Sequence, residues 1–160
     1  MESFLPTVIL RHRRENLKKC SLRGLETRED MRFYLYPKST LPDLTSYVLL
    51  GMDAPVLSKE ESSKGIFLID ATWRYATQML KQIPTPYPFI IRSLPPNFET
   101  AYPRRQDDCP DPSKGLASIE ALYLAYVILG RDPTGLLDLY HWKEEFLHKN
   151  AEGLLSVNKS

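Results

Sequence analysis

Cysteine is scarce in this chain: Cys20 and Cys109 are the only two in 160 residues, and they stand far apart. Neither has a second Cys or a His at metal-ligand spacing, so neither a disulfide framework nor a metal site is expected, and reduced thiols suit a cytoplasmic protein. Long apolar runs are missing too. The longest candidate, Ile119–Leu129, is interrupted by Glu120 and falls short of the roughly 18 residues a membrane span needs, so no membrane segment is expected. Met1–Leu10 has no basic start ahead of an apolar core, so no leader is expected. The seven glycines never form G-x-G-x-x-G after a strand or G-x-x-x-x-G-K-[ST], which argues against a glycine-rich nucleotide loop, and there is no G-x-S-x-G elbow. The three histidines, His12, His141 and His148, show no H-E-x-x-H or paired spacing; His141 and His148 fall on the last expected helix, facing solvent.

With 42% hydrophobic and 26% charged residues, the composition is that of a globular domain of one compact unit. The net charge is only +1, but it is uneven. Between Arg11 and Arg23 stand six basic residues (Arg11, Arg13, Arg14, Lys18, Lys19, Arg23) and one acid (Glu15), a local +5. Such a run is either a phosphate-binding surface or a solvated loop.

Leu5–Leu10, Met31–Tyr36, Tyr47–Leu50, Gly65–Asp70 and Phe89–Arg92 read as short strands, the third ending at Gly51. In Gly65–Asp70 four apolar residues in a row close on an acid, which predicts burial on both faces, as in a parallel sheet. Ser58-x-x-Glu61 fits a capping box. Trp73, Ala76, Met79 and Leu80 repeat at helical spacing until Pro84, Pro86 and Pro88 end the pattern. Pro95–Ser113 holds five prolines and reads as a long loop. Leu116–Leu129 is the best core helix, stopped by Gly130. Asp132-Pro133 would start a last helix whose stripe is Leu136, Leu139, Tyr140, Phe146 and Leu147, with a frayed tail after Asn150. Strands alternating with helices make the chain α/β.

Ligands of such sheets bind beyond the carboxyl ends of the strands. Three ends stand out: Leu50–Asp53, Asp70–Trp73 and Arg92–Asn97. Asp70 is either a partly buried base or orienting acceptor, or the N-cap of the next helix. Trp73 either stacks on a base or faces the core.

Several stretches resemble a known family, the small-subunit rRNA aminocarboxypropyltransferases of the DTW/SPOUT-like superfamily. LIDATW (Leu68–Trp73) resembles its Asp-x-Ser/Thr-Trp motif. LKKCSLRGLE (Leu17–Glu26), LLGMDAPVLSKEE (Leu49–Glu61), IRSLPPN (Ile91–Asn97), LASIEAL (Leu116–Leu122) and HWKEEFLHKN (His141–Asn150) are similar to further blocks, in the family's order. Two departures stand out: Leu17 and Leu22 replace a proline and a glycine, and Tyr102-Pro103-Arg104-Arg105 resembles a tRNA-modifying branch.

The resemblance implies a SPOUT-like, mostly parallel sheet flanked by helices, with a C-terminal trefoil knot. It divides the chain into an N-terminal part, 1–45, contacting RNA and cofactor, and a catalytic part, 46–152. It implies S-adenosylmethionine as cofactor and transfer of its 3-amino-3-carboxypropyl group to a ring nitrogen of uridine or a modified pseudouridine in small-subunit rRNA. The same transfer to tRNA, RNA methylation by a SPOUT enzyme, and a non-enzymatic ribosome-assembly role are the alternatives. Asp70 is the expected catalytic residue. Ser21, Ile69, Leu94, Lys114, Ser118 and Trp73 are the expected cofactor contacts, and Arg11, Arg13, Lys18, Lys19, Arg104 and Arg105 the expected RNA contacts. Glu120 is left structural, and a monomer is expected.

Overall fold

Apolar runs too short for helices and bounded by turn residues have become strands. The computed structural model describes residues 5–12, 22, 24–36, 41–70, 78–79, 81, 89–101 and 116–158. Strands β1 (Thr7–His12), β2 (Met31–Tyr36), β3 (Tyr47–Val56), β4 (Gly65–Asp70) and β5 (Ile90–Ser93) form one sheet in the order β2-β1-β4-β3-β5. All four pairings are parallel. β4 is the central strand, which accounts for its continuous apolar sequence. β1 and β2, from the segment expected to form an N-terminal part, pair within the same sheet as β3 to β5, with β1 directly beside β4.

The two faces bury different clusters, as strand alternation requires. Ile9, Met31, Val48, Ile66 and Leu68 face helix α1 (Ser118–Ile128) and the C-terminal helices α2 (Lys143–Lys149) and α3 (Ala151–Asn158), in the larger cluster. Val8, Leu10, Leu49 and Phe67 face the other way, onto Met79 and Phe89. Helix α1 is apolar nearly all round, and eight of its eleven residues are buried. Ala117 before it offers no capping side chain; Glu120 reaches back instead and accepts the Ala117 N–H at 2.7 Å. Gly130, at φ +76, supplies the left-handed residue that ends it.

The structure corrects four expectations. β1 begins two residues later than its apolar run, and β3 runs past Gly51 to Val56, because pairing with β5 continues through an irregularity between Gly51 and Val56. The last helix does not start at Asp132. The Asp132 carboxylate accepts both the N–H and the hydroxyl of Thr134, and Gly135 sits at φ +86, so this stretch folds as successive turns. The expected stripe breaks there: Leu136 and Tyr140 are buried, but Leu139 is 64% exposed. Finally, the chain after Asn150 is helix α3 rather than a frayed tail. Leu154 and Val157 pack on the core, and Gly153 lies so close to Phe98 that a Cβ would stand 2.9 Å from its ring. Ser58 and Glu61 form the expected capping box, on a 3-10 turn.

Candidate active site

Parallel strands point all their carboxyl ends the same way, so side chains far apart in sequence meet along one edge. Asp70 ends β4 and is 3% exposed. Its partner in register is Arg11 of β1, and the Arg11 Nε donates to Asp70 Oδ2 at 3.0 Å. Both side chains are buried, 9% and 4% exposed. The other oxygen, Oδ1, accepts the Ser118 hydroxyl at 3.2 Å from the first residue of α1. The Arg11 guanidinium lies over the Phe33 ring of β2, 4.7 Å from its centroid. Phe33, Arg11, Asp70 and Ser118 thus form a row across one face of the sheet edge.

The chain leaving β5 is fixed next to this row. The buried Glu120 carboxylate accepts four hydrogen bonds: from the Thr100 hydroxyl at 2.6 Å, the Ala101 N–H at 2.8 Å, the Ala117 N–H at 2.7 Å and the Tyr140 hydroxyl at 2.9 Å. Asn150, at the end of α2, accepts the Glu99 N–H and donates to the Glu99 and Phe146 carbonyls. Farther back, Arg92 of β5 donates to Glu61 at 3.1 Å, tying β5 to the capped turn after β3.

A separate polar network lies at the opposite end of the sheet. The Thr7 hydroxyl donates to the Tyr126 oxygen at 2.8 Å, and the Tyr126 hydroxyl donates to Asp30 Oδ2 at 3.0 Å. Burial pushes the Tyr126 phenol up to about 12. The Arg28 guanidinium, hydrogen-bonded to Asp30 through Nε and Nη2, holds that carboxyl below its ordinary range. Burial pulls Arg131 down; its guanidinium donates to the Leu5 and Lys64 carbonyls. These groups bracket the amino end of β1 and have no place at the carboxyl edge.

Of the expected site residues, the structure brings Asp70, Arg11 and Ser118 together. Leu94 follows β5, half-buried against the larger cluster. The Ile69 side chain packs on the opposite face, with the smaller cluster, so its main chain is what it offers to this edge. Ser21, Trp73, Lys114, Arg13, Lys18, Lys19, Arg104 and Arg105 lie outside the described residues. Arg11, expected among the RNA contacts, is 8% exposed and engages a carboxylate, because it occupies a strand position whose neighbour in register is Asp70. From the sequence Asn150 stood only as the last residue of the His141–Asn150 block, and the several roles of Glu120 were not expected. The signal for Glu120 was present: one carboxylate within an otherwise apolar helix must be satisfied internally.

Among the described residues, no group of three His, Cys, Asp or Glu side chains is arranged to hold a metal ion, and no helix is long and apolar enough to cross a membrane. No family model matches the chain, and no curated protein matches it. Its fold is similar to a solved structure, the SAM-dependent rRNA:acp-transferase Tsr3 from Vulcanisaeta distributa. The TM-score is 0.73 with 21% identity, over 98% of this chain and 84% of that one. At that identity the similarity shows a shared fold.

Proposed function

We propose that this chain transfers the 3-amino-3-carboxypropyl group of S-adenosylmethionine to a uracil-type ring nitrogen in small-subunit rRNA, as a cytoplasmic enzyme of the SPOUT-like class with a C-terminal knot. The observation that carries the reading is the Asp70 carboxylate, buried at the end of the central strand and held from two sides by Arg11 and Ser118. The fold shared with an rRNA:acp-transferase and the motif blocks in family order support it.

The residues fit the cofactor. Half-buried Leu50, Leu94 and Leu116 flank the same edge and suit an apolar adenosine. The amino end of α1, which begins at Ser118, suits a carboxylate through its main-chain N–H groups. Ser21, Trp73 and Lys114, with the Ile69 main chain, complete the proposed cofactor contacts. Arg13, Lys18, Lys19, Arg104 and Arg105 hold RNA phosphates. When bound, S-adenosylmethionine supplies an electrophilic carbon on its carboxypropyl chain and leaves as neutral methylthioadenosine, so no general acid is required.

Asp70 orients the ring N–H and takes its proton, which leaves the nitrogen pair free to form the new C–N bond while the old C–S pair stays on sulfur. In-line approach requires the reacting atoms to be held about 3–3.5 Å apart, which rigid strand ends are suited to do. The test is product analysis with S-adenosylmethionine and small-subunit rRNA. Methylthioadenosine with a modified uridine supports the reading. S-adenosylhomocysteine assigns a methyltransferase, transfer to tRNA alone changes the substrate, and absence of any product with RNA bound assigns an assembly role.

A further inference from the structure

We propose that Arg11 is a positioning residue for the Asp70 carboxylate and not a phosphate ligand, an inference that rests on the transfer reaction proposed above. Arg11 and Asp70 are paired in register on neighbouring parallel strands, so their side chains leave the sheet on one face. The Arg11 Nε fixes Oδ2 at 3.0 Å, and the Ser118 hydroxyl fixes Oδ1 at 3.2 Å from a different element. A carboxylate held by one oxygen can still turn about its terminal bond; held by both, it presents a defined edge. Phe33 holds the guanidinium in turn, 4.7 Å below it. A phosphate ligand needs its guanidinium at the surface, and the Arg11 side chain is 9% exposed.

This arrangement separates two effects that a basic residue near RNA would otherwise confound. A positioning residue acts on turnover, because a base misplaced by about 1 Å costs on the order of a hundredfold. A phosphate ligand acts on affinity and on its salt dependence, removing about one unit of slope when lost.

The experiment uses the full chain with small-subunit rRNA and S-adenosylmethionine. It compares wild type with Arg11→Lys, which keeps the charge but not the planar donor. The expected result is a kcat at least about tenfold lower, with RNA affinity and its salt slope unchanged. In the double variant Arg11→Lys/Asp70→Asn, kcat should match that of Asp70→Asn alone, since the two act as one unit. A weakened, flatter salt response at unchanged kcat overturns the proposal, and so does additivity in the double variant. If Arg11→Lys does not fold, Phe33→Leu loosens the guanidinium while leaving both charges in place. It should lower kcat several-fold at unchanged RNA affinity, and unchanged kcat there overturns the proposal. Wild type that releases no methylthioadenosine overturns the transfer reading itself; wild type that turns over alongside an unimpaired Arg11→Lys overturns only the positioning role.

Discussion

Asn150 pairs with the main chain of Glu99 as one peptide unit pairs with another: its Oδ1 accepts the Glu99 N–H at 2.7 Å, and its Nδ2 donates to the Glu99 carbonyl at 2.9 Å. A single side chain at the end of α2 thereby replaces a missing neighbour strand for the segment leaving β5. The same Nδ2 donates to the Phe146 carbonyl at 2.8 Å and closes its own helix.

Asn150→Ala should therefore cost about 1–3 kcal/mol, since it removes the partner of the Glu99 N–H and carbonyl, while the Phe146 carbonyl keeps the Asn150 N–H. Denaturant unfolding measures it. A loss under about 0.5 kcal/mol, the range of neutral surface changes, would show that water replaces the side chain.

Glu120→Gln is expected to be worse than its near-identical shape suggests. The carboxylate accepts four donors and offers none, whereas an amide must aim its own two N–H groups at two of them. We expect a loss of about 3 kcal/mol or more, because bonds to a charged acceptor contribute roughly 1.5–3 kcal/mol each. The drop in Tm on replacement measures it, and a Tm within a degree or two of wild type contradicts it.

Asp70→Asn should abolish most transfer, by a factor of roughly 10²–10⁴, the range for loss of a general base. The asparagine variant is the sound one. Both changes take the counter-charge from buried Arg11, a loss that costs up to about 3–5 kcal/mol, but Asp70→Asn keeps one acceptor oxygen for the Arg11 Nε, whereas Asp70→Ala removes both and further confounds activity with folding. Single-turnover kinetics on folded Asp70→Asn decides the matter; near-normal turnover removes Asp70 from the chemistry.

Stability should decline in alkali. Tyr126 holds its proton in the folded state up to about pH 12, while the unfolded phenol releases it near 10.0. Between those values the unfolded state binds fewer protons, so stability is full below pH 10 and falls up to about pH 12, by roughly 3 kcal/mol at most. Tyr47 and Tyr123, also raised by burial, add to the same limb. In acid the sign reverses: Asp30, held low by Arg28, stabilises above the ordinary carboxyl range and loses that contribution as pH falls through its folded value. Unfolding followed from pH 8 to 12 should show a shallower alkaline decline in Tyr126→Phe; an unchanged slope would rule out Tyr126 as its source.

How much of this was readable beforehand differs from element to element. β2 and β4 have the bounds their apolar runs suggest, because β4 is covered on both faces and turn residues flank both strands. The continuation of β3 was hidden, since a glycine reads as a stop and only β5 alongside carries the pairing on. Helix α3 was hidden for a similar reason: Gly153 is a poor helix residue by propensity, and it earns its place only through contact with Phe98. The site was half legible. Asp70 could be named from its strand-terminal position. Arg11 was assigned to a charge run, because a linear sequence shows neighbours along the chain and not across a sheet, where residues 11 and 70 are adjacent.

The Glu120 carboxylate holds the Ala101 and Ala117 amides at once, and so pins both ends of whatever chain runs between them. One carboxylate thereby couples the chain leaving β5 to the amino end of α1, so a shift of either is passed to the other, and with it to Ser118 and the Asp70 carboxylate that Ser118 holds.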